Sequence, residues 1–397
     1  MIKTYYYKGK TEETEDIIDF ANMVFSMAYR SIDFAKLIPK AYSKERCHIP
    51  VHHMIKENNK IKALADVYPV TLKQFKNETY IEIKAAYIGT VCVHPNSRGK
   101  GYMKSLMQKA KEDAISEGFD IMFVDGNRHR YQNYGFEKAG IKYEFCVRYK
   151  NLKHAYNRLY GEYKEPVYSF ELVEDDSPYI DKMYKLYSKK NVMARTKEEF
   201  FLNLKGNRAY NYAVLEKESF VGYINISEDE SKIHEIEIEN ISELPEIIYD
   251  LFEELALDEL EITAGVDEIK KTEWLDKLCD YCSMHMSHQI KILNYEKVLS
   301  FLLSWKQKYC ELSDGKYVIG IEADSYKIYS IEIKDGDISV MEKDAENPDI
   351  ILGEMDFVKL FTTSMFFQEC NKNDSRIKNT PKGWFPLPFF LPEADAF

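Results

Sequence analysis

Residues 91–103 read Val-Cys-Val-His-Pro-Asn-Ser-Arg-Gly-Lys-Gly-Tyr-Met. Two patterns of different period meet there. Upstream, Tyr87, Ile88, Thr90, Val91 and Val93 make a β-branched and aromatic run that reads as a strand. Downstream, Met103, Leu106, Met107, Ala110, Ala114 and Ile115 recur at helical spacing. The junction is a basic turn punctuated by Gly99 and Gly101. A strand feeding a glycine loop at a helix N-terminus is an anion site by construction. N–H groups point outward, the helix dipole adds partial positive charge, and the missing Cβ atoms admit a phosphate. Arg98 and Lys100 add formal charge.

On either side the same alternation continues. A helical region over 12–38 carries Ile17, Phe20, Ala21, Val24 and Phe25. Strands are expected at 61–70 and 80–93, with a polar turn (Lys73, Lys76, Asn77) between them. The helix 102–117 leads to a short apolar strand, Ile121–Val124, and then to Tyr131-Gln-Asn-Tyr-Gly-Phe136. Strands followed by a β–loop–α–β unit predict a mixed sheet with helices on its faces. A second unit to residue 292 repeats the rhythm closely enough to suggest an internal duplication. Its counterpart of the glycine loop, Glu237-Ile-Glu-Asn-Ile-Ser-Glu-Leu-Pro245, has no glycine and no base, so its charge repels phosphate. A third unit from 293 mixes short strands with helices. It ends in Trp384-Phe-Pro-Leu-Pro-Phe-Phe-Leu-Pro-Glu-Ala-Asp-Ala-Phe397. Chain ends are usually frayed and polar; an aromatic tail stiffened by proline is expected to dock into the body of the protein.

A length of 397 residues implies two or three cores, and 45% apolar content is enough to fill them. No apolar run of about 18 residues spans a membrane. The N-terminus lacks the apolar core of a signal peptide, so a cytoplasmic location is expected. A net charge of −12 disfavours nucleic acid and is compatible with a cationic substrate. The seven scattered cysteines read as reduced thiols. Cys279-x-x-Cys282-x-x-His285-x-x-His288 has the residue types of a zinc site, but its His pair is too closely spaced and it runs from a helix into a strand. Cys47, His48, His52 and His53 flank Pro50 without a second cysteine pair. No metal is expected. Cys92 alternates with Val91 and Val93, so no nucleophilic role is expected for it.

Arg98-Gly-Lys-Gly-Tyr-Met103, followed by Tyr131, Gly135 and Phe136, resembles the signature of the GNAT acetyltransferase superfamily. Met103 stands where that signature has a small residue. The resemblance implies acetyl-coenzyme A as cosubstrate, with its pyrophosphate on Arg98, Gly99, Lys100, Gly101, Tyr102 and Met103. Its pantetheine arm would lie along the backbone of Val91 and Val93, and an N–H near Val93 would serve as oxyanion donor. Tyr131 would protonate the departing thiolate, and Tyr134 would be structural. The three-unit layout is similar to the Eis-like acetyltransferases (named for enhanced intracellular survival). That likeness implies a mixed α+β and α/β fold with a catalytic domain over 1–150, a degenerate copy over 151–292 and a sterol-carrier-protein-like domain over 293–397. It also implies a trimer or hexamer, a polyamine- or aminoglycoside-like amine as acceptor, and a tail that reaches the active site. Phe397 would then supply its carboxylate as general base, with Glu393 and Asp395 adding negative charge. A carboxyl that titrates near ~3.5 in water needs burial to act as a base. The alternative is a lipid- or apolar-ligand-binding module in the third unit, with the acetyltransferase units as scaffold.

Overall fold

In a computed structural model, described over residues 4–28, 31–76, 79–162, 165–189, 192–372 and 375–396, the chain folds around three sheets. The first stretch gives β1 (Thr4–Lys8), α1 (Thr14–Ser26), α2 (Phe34–Leu37), α3 (Pro39–Tyr42), β2 (Val51–Glu57), β3 (Lys60–Lys76) and β4 (Thr79–Val93). It continues with α4 (Tyr102–Ser116), β5 (Ile121–Val124), α5 (Arg128–Gln132), β6 (Glu137–Lys138) and β7 (Lys142–Arg148). Next come α6 (Tyr149–Tyr160), β8 (Tyr168–Leu172), α7 (Ile180–Tyr187), α8 (Lys197–Leu204), β9 (Tyr210–Glu216), β10 (Ser219–Ile226) and β11 (Lys232–Ile238). The second stretch closes with α9 (Leu244–Leu255), β12 (Glu259–Gly265), α10 (Ile269–Leu278), β13 (Tyr281–His285) and β14 (Gln289–Ile292). The third holds α11 (Tyr295–Lys306), β15 (Gly315–Glu322), β16 (Tyr326–Lys334), β17 (Asp337–Lys343), β18 (Ile350–Gly353) and α12 (Glu354–Thr362).

The sheet orders are β1-β2-β3-β4-β5-β14-β6, β13-β7-β12-β11-β10-β9-β8 and β17-β16-β15-β18. The first two repeat one plan. A parallel pair, β4 with β5 and β11 with β12, is joined through a crossover helix, α4 or α9. This is the tandem mixed-sheet architecture expected from the sequence. The two units also exchange strands. β7 pairs with β12 and β13, and β14 is inserted between β5 and β6. Sheet membership therefore crosses the linear segments 1–150 and 151–292.

Two local expectations change. The helical region over 12–38 is divided, because Asp33 Oδ1 accepts from Ala35 N at 3.2 Å and starts α2, and Pro39 opens α3. The strands at 61–70 and 80–93 lengthen into one hairpin that includes Lys73 and Lys76 in β3; Asn77 lies outside the described residues.

The first sheet is covered on both faces. Met107, Ala110 and Ala114 of α4 pack on Ala86, Ile88, Met122 and Val124. On the other face, Ile17, Phe20 and Val24 of α1 join a core that includes Tyr87, Phe123 and the tail. Tail residues Trp384, Phe385, Leu387, Phe389, Phe390 and Leu391 are buried. The Phe385 ring lies 4.2 Å from that of Phe361 in the third unit, and the Phe389 ring lies 5.3 Å from that of Phe123 in the first. The tail thus crosses from the third sheet to the first. Between the third sheet and its helices, Tyr317, Phe357, Phe361, Phe366, Trp384 and Phe385 form one aromatic core.

Candidate active site

β4 and β5 run in register from Ala85↔Ile121 to Ile88↔Val124 and then part. The cause is in β4. Its pairing with β3 shifts between Leu64 and Asp66, and Thr90 adopts a left-handed φ of 50°. This bulge bends the strand away from β5. A buried network holds it. The Tyr42 hydroxyl donates to Asp66 Oδ2 at 2.6 Å and also contacts Thr90 Oγ1, while His52 Nδ1 lies 2.7 Å from Asp66 Oδ1. Residues 91–93 therefore extend past the end of the parallel ladder, with one backbone edge facing the gap.

The glycine loop closes that gap. Gly99 (φ +80°) and Gly101 (φ +78°) are left-handed, and nothing lies within 4 Å of where their Cβ atoms would stand. Side chains disfavour this conformation, and the bare surface leaves the backbone open. Gly101 is the N-cap of α4, whose first N–H groups lack helical partners. A cleft of about 680 Å³ opens here, lined by Val91, Val93, Arg98, Gly99, Gly101, Tyr102 and Met103. Val24 and Phe25 of α1 form another wall. Lys104, Arg130 and Tyr134 also line it. Among the described residues, Arg98, Lys104 and Arg130 form no ion pair. Lys104 and Arg130 escaped the sequence reading. Their signal was weak: each sits one residue outside a motif, Lys104 after Met103 and Arg130 before Tyr131.

Lys100 is turned aside. It is exposed and pairs with Glu57 at 2.8 Å, and Tyr102 donates to the same carboxylate. Tyr131 is 6% exposed and packs on Phe136, with ring centroids 6.3 Å apart. Burial pushes its phenol up to about 12; Arg130 opposes this and Asp125 adds to it. Of the two nearby tyrosines, half-buried Tyr134 is the one that lines the cleft, and Tyr131 is buried in the core under α4. Met103 contributes to both the cleft and the core under α4. Burial, then Asp66, raises the Cys92 thiol well above its ordinary range, so it stays protonated and is a poor nucleophile.

Phe397 lies outside the described residues. The tail before it is firmly held. Lys40 Nζ donates to Ala394 O at 3.0 Å, and Arg195 Nε donates to Asp395 Oδ1 at 2.8 Å while its other nitrogens grip Glu235 at 3.1 and 2.6 Å. Glu393 lies 2.8 Å from Lys232 and 3.3 Å from Lys142. Glu393 and Asp395 are thus neutralised by cations, contrary to the expectation that they add free negative charge.

The four residues of the zinc-like motif diverge. His285 Nε2 lies 3.0 Å from Glu144 in the second sheet, whereas His288 Nε2 lies 3.4 Å from Asp125 in the first. His52 is tied to Asp66 and His53 Nδ1 to the Tyr6 hydroxyl at 2.6 Å. No group of three or more His, Cys, Asp or Glu among the described residues is arranged to hold a metal ion. No helix among them is long and apolar enough to cross a membrane.

Residues 6–139 match the family model of the GNAT acetyltransferase domain. No curated protein matches the chain. Among solved structures, the chain is similar over its whole length to a GCN5-related N-acetyltransferase from Anabaena variabilis. Coverage of both chains is 100%, the TM-score is 0.68 and identity is 14%. Eis1 from Mycobacterium abscessus is likewise covered over 100% of both chains, at a TM-score of 0.65 and 12% identity. A probable N-acyltransferase from Enterococcus faecalis matches over 92% of this chain and 93% of its own, at a TM-score of 0.66 and 12% identity. These likenesses establish a shared fold, and the family match falls on the glycine loop, the cleft and Tyr131. Residues 6–139 thus carry the likeness to a GNAT acetyltransferase domain, and the chain as a whole shares the fold of these N-acetyltransferase structures.

Proposed function

We propose that the protein transfers an acetyl group from acetyl-coenzyme A to a primary amine of a cationic small molecule of the polyamine or aminoglycoside kind, as an Eis-like member of its class. One observation carries most of this reading. In a chain of net charge −12, three cations without ion-pair partners among the described residues, Arg98, Lys104 and Arg130, converge around two bare glycines at a helix N-terminus. Such a site suits a pyrophosphate. The bound cosubstrate supplies the activated acetyl thioester. Arg98 and the N–H groups of Gly99–Met103 hold its phosphates, with Lys100 contributing long-range charge. The free edge of Val91 and Val93 takes the amide arm as an added strand and turns an N–H toward the carbonyl oxygen where negative charge develops. Tyr131, kept protonated by burial, delivers its proton to the leaving sulfur. In this reading the Phe397 carboxylate, which lies outside the described residues, serves the amine as counter-ion or base, and the tail before it is anchored by Lys40 and Arg195.

The test is turnover of acetyl-coenzyme A against polyamines, aminoglycosides and lysine peptides, with and without Phe397. Acetylation of a cationic amine that weakens when Phe397 is removed supports the reading. Binding of acetyl-coenzyme A without acetylation of any of these amines contradicts it.

A further inference from the structure

The parting of β4 from β5 exposes a corner that holds Asp125. Asp125 follows β5 directly, one residue beyond the last parallel pair, Ile88↔Val124. Gly126 comes next, and a Cβ there would stand 3.2 Å from Tyr131 Cε2 and 3.9 Å from its hydroxyl. Asp125 is therefore a neighbour of the group proposed to protonate sulfur. We propose that Asp125 receives the ammonium of the acceptor, held in place by Tyr87 on β4 and by His288 at the head of β14. This rests on the amine-acetylating reading above.

Three features support it. First, the carboxylate is aimed. The Tyr87 hydroxyl donates to Asp125 Oδ2, and His288 Nε2 lies 3.4 Å from the same oxygen. His288 is in turn fixed by Ser287 Oγ, 3.0 Å from its Nδ1, and Gln289 Nε2 donates to Gly126 O at 3.0 Å. Second, the carboxylate remains accessible. Its side chain is 39% exposed although both partners are buried. Third, its charge is not cancelled. No lysine or arginine comes within ion-pair distance of Asp125 among the described residues. Two lysines that feel its field are hydrogen-bonded elsewhere, Lys40 to Ala394 O and Lys138 to Ser287 O, each at 3.0 Å. Burial holds the His288 imidazole below its ordinary range, with Asp125 opposing, so at neutral pH it donates an N–H without bringing a charge. A neutral phenol and a neutral imidazole thus fix the rotamer of an anion and leave its charge for a ligand. Primary aliphatic amines are ammonium ions at neutral pH, and this corner adjoins the thioester site.

This also gives the strand exchange a role. β14 carries His288 and Gln289 from the far end of the second unit to the catalytic sheet.

The test compares wild type with Asp125→Asn, a near-isosteric change at an accessible position, using spermidine, 1,5-diaminopentane and kanamycin as acceptors. The KM of whichever acceptor wild type uses should rise by about tenfold or more, as expected for loss of a charged hydrogen bond, while kcat and the Kd for acetyl-coenzyme A hold. Tyr87→Phe and His288→Gln should raise the same KM by less. If Asp125→Asn fails to fold, Tyr87→Phe, which keeps the charge, decides. An unchanged acceptor KM in the variant that folds overturns the proposal. So does a wild type that binds acetyl-coenzyme A yet acetylates none of the three amines. A wild type that does not bind acetyl-coenzyme A overturns the underlying reading as well.

Discussion

Tyr131 and Gly101 place opposite demands on their surroundings. Tyr131 needs burial, which lifts its phenol to about 12 and keeps its proton available through ~pH 10, where an ordinary phenol titrates. Rates should show no descending limb from this group in that range. Tyr131→Phe should lower kcat by about two orders of magnitude, the scale of one general acid, and leave acetyl-coenzyme A affinity unchanged by calorimetry. Gly101 needs openness. At φ +78°, a β-branched residue is strained by about 1–2 kcal/mol and covers the N–H groups of α4. Gly101→Val should lower Tm modestly and abolish cosubstrate binding. At this scale the sequence was informative wherever chemistry coincides with a short motif. It was silent on Asp125, an ordinary acidic residue until Tyr87 and His288 are brought to it from two other strands.

Among the elements, the bulge at Thr90 shapes the site, and the tail packs against its sheet through Phe389 on Phe123. The strand and helix flanking the glycine loop were legible because period-2 and period-3.6 patterns meet at a turn. The exchange of β7 and β14 was not, since pairing between remote segments leaves no local signal and the Gln-Ile-Lys-Ile of β14 is too short for periodicity. The tail's apolar character was visible in sequence, but its anchor was not. Arg195 spans Glu235 and Asp395, and all three are buried. Arg195→Met strands two buried carboxylates, so it should cost about 3–5 kcal/mol in denaturant unfolding and make the tail protease-sensitive. Lys40, beside the same cluster, is held down to about 7, chiefly by burial. Between that value and the ordinary lysine range, the unfolded chain holds a proton that the native protein has released. This contribution therefore raises stability as pH increases from about 7 upward. Lys40→Met should flatten that slope in Tm measured against pH.

For the whole molecule, the two related units have diverged in charge and in lining. The corner between β11 and β12 adjoins the acidic loop Glu237–Pro245, and Phe390 and Pro392 of the tail wall a cleft of about 490 Å³ there, with Glu237, Asp267 and Glu268 on its lining. An added Cβ at Gly265 would stand 2.6 Å from Phe390 Cδ1, and Trp305 Nε1 donates to Asp267 at 2.9 Å. The first cleft keeps its glycines and, among the described residues, three cations without ion pairs. We propose one active loop per chain, and calorimetric titration with acetyl-coenzyme A, carried to about 1 mM, the upper end of ordinary KM values, tests it most directly. The account predicts one site per chain, weakened by added salt and lost in Arg98→Ala combined with Gly101→Val. No binding at that concentration, two sites per chain, or full affinity in the double variant would contradict it.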